Sequence, residues 1–441
     1  MLQRRLFAVA GLLAGLSQIA IGQTWQTLGS VPVLTRYNDV YFVTAVTGWI
    51  VNGSGQIYRT DNGGATWQKQ FERSTAHFRS IGFLDAQHGW AGNVGPGEFG
   101  ATDSTVLYHT DDGGLHWTPV TAFVGHRPRG LCGMHVVNDS VMCAVGRVRG
   151  PAAFARSTDR GRTWQARDMS AHAAGLIDVY FFHPDTGLAV GLTNVTHDNS
   201  SGVILFTSDG GATWEKRFTT SRTGEWCWKI SFPTRRTGYV SLQRNSLAPI
   251  YFLKTSDGGR TWQEKLFSPD YYFVQGIGFI DEQHGWIGGN SSQPTYETRD
   301  GGATWQSAGF GARVNRFRFL GDTLGYAVGR LVYKYSRQAS GITTLTESPL
   351  AFALSQNYPN PFNPSTTITY RLPRAGRVSL VVYDLAGRLI ERILDETQSA
   401  GEHTVVWDAH DQEGNLLRAG VYLYRIQTAA FTASKKMVLL H

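Results

Sequence analysis

Apolar residues occur in short runs cut by turn dipeptides, and Gly is abundant without a collagen period, so the pattern predicts many short strands rather than long helices. Two motifs order those strands. An octapeptide recurs six times, as TDNGGATW (Thr60–Trp67), TDDGGLHW (Thr110–Trp117), STDRGRTW (Ser157–Trp164), TSDGGATW (Thr207–Trp214), TSDGGRTW (Thr255–Trp262) and TRDGGATW (Thr298–Trp305). Its Trp residues lie 50, 47, 50, 48 and 43 residues apart, a period that means a propeller or a solenoid. The second motif, Phe-x5-Gly-aromatic, runs Phe42…Gly48-Trp49, Phe83…Gly89-Trp90, Phe232…Gly238-Tyr239, Phe279…Gly285-Trp286 and Phe319…Gly325-Tyr326. Weaker copies at Phe181…Gly187-Leu188 and Val136…Met142-Cys143 bring it to seven, against six octapeptides. The last copy ends at Leu331–Tyr335 without an octapeptide, whereas Thr24-Trp25-Gln26 resembles the strand that follows each one. The N-terminal strand therefore completes the last blade and removes its open edges. The expected fold is all-β, a propeller of seven four-stranded blades.

The octapeptide has a structural logic. Its Ser/Thr and Asp side chains accept hydrogen bonds from turn amides, its Gly residues allow positive φ, and its Trp packs between blades. Six copies round a ring cannot converge on one site, so Asn62, Asp112, Asp159, Asp209, Asp257 and Asp300 are expected to hold turns rather than bind metal. These residues resemble the Asp-box (BNR) repeat. Paired with a Gly-Trp strand, the box looks most like the photosystem II assembly and stability factor family of seven-bladed propellers; sialidases, sortilin-type receptors and xyloglucanases carry related boxes. The resemblance covers roughly residues 24–335 and implies the fold far more than a function.

The two ends of the chain follow other patterns. Arg4 and Arg5 precede an apolar run, Leu6 to Leu16, too short to span a bilayer, and Ala20-Ile21-Gly22 puts small residues at cleavage positions. Residues 1–22 are thus expected to be a signal peptide cleaved near Gly22, leaving a propeller over 23–339. No other segment is apolar enough to be a transmembrane span. Residues 340–349 read as a linker. Beyond them, the Pro and Asn of LSQNYPNPFNPSTTITYRL (Leu354–Leu372) forbid helix, and strands are expected at Val378–Tyr383, Leu389–Leu394, His403–Trp407, Val421–Gln427 and Ala433–Leu440. They predict a small immunoglobulin-like β-sandwich over 350–441. The segments NYPNPFNPST, VYDLAGR, GVYLYRIQ and SKKMVLL resemble the type IX secretion sorting domain of Bacteroidetes-like bacteria. That resemblance implies a partner in the type IX secretion machinery, passage through the periplasm and across the outer membrane, removal by a sortase-like peptidase, and release or attachment to surface lipopolysaccharide.

Composition narrows the function classes. With 17% charged and 12% aromatic residues the chain is no disordered polyelectrolyte. Residues 341–441 carry nine residues of each sign and residues 1–22 carry two Arg, so the basic excess of the mature chain lies in the propeller. It is modest, and no nucleic-acid module is visible, so nucleic acid is not an expected partner. Each innermost strand is expected to begin at the face opposite the octapeptide turns. There the repeat places Arg36, His77, Arg79, Arg127, Arg129, Trp226, Trp228, Lys229, Arg313 and Arg316, and loops add Arg147, Arg149, His197, Arg244, Asn245 and Arg330. The expectation is a cationic, aromatic-bearing face that binds a protein or an anionic glycan. Long loops at 92–105 and 192–203 decorate the same face.

The alternative is a secreted glycoside hydrolase using Asp178, Asp198 or Glu225, with Tyr271 or Tyr272 as an imagined nucleophile, although nothing in the sequence pairs these groups. The Arg-Ile-Pro signature of sialidases is missing, and xyloglucanases use two propellers where this chain has one. Gly95-Pro96-Gly97-Glu98-Phe99-Gly100 matches G-x-G-x-x-G with no helix after it, and the 13 His show no metal-ligand spacing. A monomer without cofactor or metal is expected. Cys132 and Cys143 flank a turn, either facing each other across a hairpin or remaining free thiols, and Cys227 has no obvious partner.

Overall fold

The computed structural model describes residues 23–29, 31–32, 36–245, 247–289, 293–337, 352–357, 359–373, 375–399, 401–411, 415–429 and 431–440. The expected signal peptide (1–22) and linker (340–349) lie outside the described residues. The chain divides into two compact units, Met1–Ser340 and Gly341–His441.

In the first unit consecutive strands pair as antiparallel meanders. Blade 1 consists of Tyr37–Phe42, Gly48–Asn52, Gln56–Thr60 and Gln68–Glu72, in that order. The first strands of successive blades contact one another, and blade 7 contacts blade 1, so the ring closes round a central channel. The inner strands are Tyr37–Phe42, Phe78–Phe83, Gly133–Val136, Gly175–His183, Trp226–Ser231, Val274–Phe279 and Arg316–Leu320. Blade 7 ends with Gln23–Leu28 on its outer edge, Trp25 opposite Tyr335. Seven blades, with the N-terminal strand closing the last, is the expected architecture. Blade 3 departs from four strands: Phe123–Gly125 adds a fifth, parallel to Trp164–Asp168.

Packing explains the second motif. The Phe that ends an inner strand folds back over the Gly that starts the next one, so a Cβ on Gly238 would stand 2.2 Å from the Phe232 ring. The aromatic after that Gly then reaches the neighbouring blade. Trp49 stacks on Phe83 with ring centroids 3.5 Å apart, Tyr239 stacks on Phe279 at 3.5 Å, and Tyr326 stacks on Phe42 at 3.6 Å across the closure. These rings are buried, so these three blade-to-blade seams are held by apolar area and offset stacking rather than by one shared core.

In blades 1 to 6 the octapeptide joins the third and fourth strands on the same side as the turn between the first two. Thr207 Oγ1 accepts the Gly211 N–H at 2.8 Å, and Asp209 Oδ1 accepts the Thr213 N–H at 2.9 Å. The Gly210 N–H donates to Asp185 O at 2.8 Å, tying the octapeptide to the turn beside it. Gly210 and Gly211 hold φ of 72° and 88°, which Gly adopts freely. Arg160 occupies the equivalent of Gly210 in the third copy at φ 62°, and its guanidinium bonds Asp85. Asn62, Asp112, Asp159, Asp257 and Asp300 make the same amide contact four residues on.

The second unit is a β-sandwich. Ala353–Leu354, Thr366–Leu372 and Gly401–Trp407 form one sheet; Leu389–Gln398, Gly376–Asp384, Gly420–Gln427 and Thr432–Leu439 form the other. Alternating residues from both, including Ile368, Leu380, Val382, Tyr424 and Met437, build its core. The strand from Leu389 extends four residues past the expected end at Leu394, because it pairs along almost the whole of Gly376–Asp384.

Candidate functional site: the central channel

Every inner strand begins at one mouth of the channel, here the upper mouth, and ends at the other, where the octapeptide turns lie. Midway along, Arg316 crosses from blade 7. Its Nη1 and Nη2 bond Asp178 of blade 4 at 2.9 and 3.0 Å, and its Nε bonds Asp39 of blade 1 at 3.0 Å. Both carboxylates also accept backbone amides of the next blade, Ile81 N–H on Asp39 and Ile230 N–H on Asp178. Burial alone would raise the Asp178 pKa, yet Arg316 and Lys229 outweigh it and hold the carboxyl far below its ordinary value. The same pairing raises Arg316 against its own burial.

With both acids hydrogen-bonded to Arg316, the cations above them make no carboxylate hydrogen bond among the described residues. Arg79 is 1% exposed, and its Nε and Nη1 have no hydrogen-bond partner among the described residues. Its guanidinium lies 5.2 Å from the Trp228 ring centroid and 5.4 Å from that of Phe99. Lys229 is equally buried, its Nζ without a hydrogen bond and 3.8 Å from Asp178 Oδ1. Burial, followed by the charge of Arg316, brings it down to about 7. Arg36 bonds only neutral side chains, Asn38 Oδ1 at 3.2 Å and Gln275 Oε1, and burial with the neighbouring Arg79 and Arg313 lowers it to about 9. The same burial and charges keep His77 neutral, with a pKa of about 3. Donors held in a low-dielectric cleft without acceptors are electrostatically suited to an anion.

The expected cationic face is therefore two sets of residues. Arg79, Lys229, Trp228 and Arg316 stand inside the channel, and of these Arg316 is already saturated by carboxylates, a correction to its expected place as a ligand-binding surface residue. Arg127, Arg129 and Arg330 are exposed on the rim, with Arg147 and Arg313 half-buried. Arg147 lies 3.8 Å from Glu98, a buried acid whose Oε1 accepts the Arg149 N–H. Phe99, at φ 48°, rests over the mouth with its ring on His77, Arg79 and Arg149.

The carboxylates considered for catalysis each have partners of their own. Asp178 is spent on Arg316. Glu225 is fully buried, 2.8 Å from Arg222 Nε and 3.8 Å from Arg244. Asp198 is exposed on the 3-10 turn His197–Asn199, 3.6 Å from His197. Tyr272 is buried with its hydroxyl donating to Pro294 O, and burial raises its pKa. Cys132, Cys143 and Cys227 are free and buried, and the partner across from Cys143 is His135. Among the described residues no group of three or more His, Cys, Asp or Glu could hold a metal, and no helix is long and apolar enough to cross a membrane.

Asp39, Glu98 and Phe99 escaped the sequence reading. Asp39 had a signal: Asp39-Val40-Tyr41-Phe42 and Asp178-Val179-Tyr180-Phe181 are the same tetrapeptide at the same place in two repeats.

Fold and site together define a seven-bladed β-propeller with a charged channel, followed by an immunoglobulin-like domain. Residues 362–430 match the FlgD Ig-like domain family. Among solved structures the chain is similar to YCF48 from Cyanidioschyzon merolae (18% identity, TM-score 0.54, covering 71% of this chain and 99% of that one). It is likewise similar to YCF48 bound to D1 peptide (18%, 0.53, 71% and 96%) and to the GH74 xyloglucanase from Xanthomonas campestris (12%, 0.52, 79% and 60%). Among curated proteins none matches the chain.

Proposed function

We propose that the protein is an exported, non-catalytic binding protein whose propeller takes a carboxylate-bearing segment of a partner protein at the upper mouth. Arg79 carries this reading: a fully buried guanidinium with two unpartnered N–H groups, beside Lys229 and Arg36, requires an anion. The exposed Arg127, Arg129 and Arg330 lie where they would steer an acidic chain toward it. That YCF48, similar in fold, has been solved with a D1 peptide supports a peptide over a glycan. In this reading the octapeptides are Asp-box repeats, residues 1–22 are a signal peptide, and residues 350–441 are a type IX sorting domain that brings the mature protein to the cell surface or medium.

The test titrates the mature chain with a glutamate-rich peptide and with a sulfated oligosaccharide, each at low and high salt. The peptide should bind, weaken with salt, and lose at least tenfold in affinity in Arg79→Gln. Preference for the sulfated sugar would transfer the site to a glycan. Release of reducing ends from a polysaccharide would overturn the non-catalytic reading.

A further inference from the structure

The upper mouth is closed over its own cations. Arg79 is 1% exposed, so a ligand reaches its unpartnered Nε and Nη1 only when a group above it moves. Of the two rings that lie on its guanidinium, Trp228 is buried, whereas Phe99 is 41% exposed. Phe99 belongs to the loop between the second and third strands of blade 2, Gly89–Asn93 and Leu107–Thr110. Its ring centroid is 5.4 Å from the Arg79 guanidinium, 5.6 Å from that of Arg149 and 5.1 Å from the His77 ring. An apolar ring that stays partly in water gains there from the attraction of two guanidinium groups to its π-system.

The backbone beneath the ring opposes this position. Phe99 has a φ of 48°, a left-handed conformation that a bulky residue adopts only where surrounding contacts impose it. Gly97 and Gly100, one on each side of the Glu98-Phe99 pair, have φ of 83° and 82°, and a Cβ on either would meet nothing within 4 Å. Their missing side chains therefore serve the backbone alone, and the space around them is open. Glu98 is fully buried; its Oε1 accepts the Arg149 N–H at 2.8 Å, and its Oε2 has no hydrogen-bond partner among the described residues. Burial lowers the Arg79 pKa, and Glu98 is among the acids that oppose the shift, so the loop's own carboxylate partly offsets the Arg79 charge without bonding it. A carboxylate that bonded Arg79 directly would satisfy it better.

We propose that Glu98 and Phe99 form an autoinhibitory lid, which occupies the upper mouth in the free protein and which the acidic segment of the partner displaces to reach Arg79. Gly97 and Gly100 are its hinges. The lid rests on the reading that this mouth takes such a segment, and adds that the free protein holds the site shut. Apparent affinity is then the intrinsic affinity reduced by the fraction of molecules that stand open.

Phe99→Ala removes the ring contacts and Phe99→Tyr keeps them. Titrated with the glutamate-rich peptide, Phe99→Ala should bind at least fivefold tighter than the unaltered mature chain, and Phe99→Tyr within about twofold of it. Amide hydrogen exchange supplies a second measurement. The Gly97 N–H donates to Ala101 O at 3.0 Å and the Ala101 N–H to Glu98 O at 2.8 Å, so both amides report on the lid. Saturating peptide should speed their exchange at least fivefold, the reverse of the slowing that ligand contact produces, and Phe99→Ala should speed it with no peptide present. Equal or weaker affinity in Phe99→Ala, or slower exchange at Gly97 and Ala101 on binding, would overturn the lid and leave the peptide site standing. If the peptide binds neither protein, the reading of the partner fails, and ligand-free exchange decides the lid alone: unchanged rates in Phe99→Ala would overturn it.

Discussion

A buried ammonium is costly unless a carboxylate faces it closely, and Lys229 has only the distant side of Asp178, which Arg316 already occupies. Its pKa is accordingly lowered from an unfolded value near ~10.4 to about 7, mainly by burial and then by Arg316. The unfolded chain therefore binds more protons than the folded one between these two values, so this group makes stability rise with pH across that window. Below pH 7 the penalty is present in full. Lys229→Met should be more stable than the wild type at pH 6, by roughly 2–4 kcal/mol, with the gap closing toward pH 10. Urea denaturation of both proteins at several pH values checks this. A gap that stays constant with pH would mean that Lys229 is not the titrating group. Taking the difference between the two proteins also cancels the opposing trend from the buried thiols, whose raised pKa values make stability fall at alkaline pH.

At the scale of the element, the octapeptide is a turn held by its own side chains. Thr207 Oγ1 is the inner acceptor, buried with the Gly211 N–H that it satisfies, whereas the Asp209 carboxylate stands in solvent. Asp209 still titrates low, at about 2, through its hydrogen bonds to Thr213 first. Replacing Thr207 by Val keeps the shape but leaves a buried amide without an acceptor, at a cost of about 1–3 kcal/mol. A fall of that size in the free energy of urea unfolding is expected for Thr207→Val. An unchanged value would show that the turn is held by backbone contacts alone. The periodic spacing made these turns readable in the sequence, because each bond joins residues within four positions of one another.

For the molecule as a whole, closure depends on a strand contributed from the far end of the chain. Trp25 stacks on Phe310 at 4.8 Å and meets Trp286 edge-on at 5.3 Å, so the first strand is bolted to blades 6 and 7 by aromatic packing as well as by its ladder with Val332–Arg337. Trp25→Ala should cost about 3 kcal/mol and lower the midpoint of thermal unfolding. Unfolding at the wild-type midpoint would show that the ladder alone closes the ring.

The repeat, the blade count and the closing strand were legible in the sequence because they depend on local periodicity: a Phe that needs a Gly six residues on, a Thr that needs an amide four residues on, and a first strand that supplies the missing copy. The candidate residues at the beginnings of the inner strands were legible too, as positions. What they do there was not. Arg79, Lys229 and Arg316 occupy similar places in the repeat, yet Arg316 reaches Asp39 and Asp178, more than 130 residues away in the chain, and leaves Arg79 Nε and Nη1 without a hydrogen-bond partner among the described residues. Sequence by itself determined which strands form and how many blades they make, since these follow from contacts between near neighbours. Only the closed ring decided which charges are neutralised and which remain open to a ligand, because opposite blades meet across the channel and the dielectric there is set by burial that no local pattern encodes.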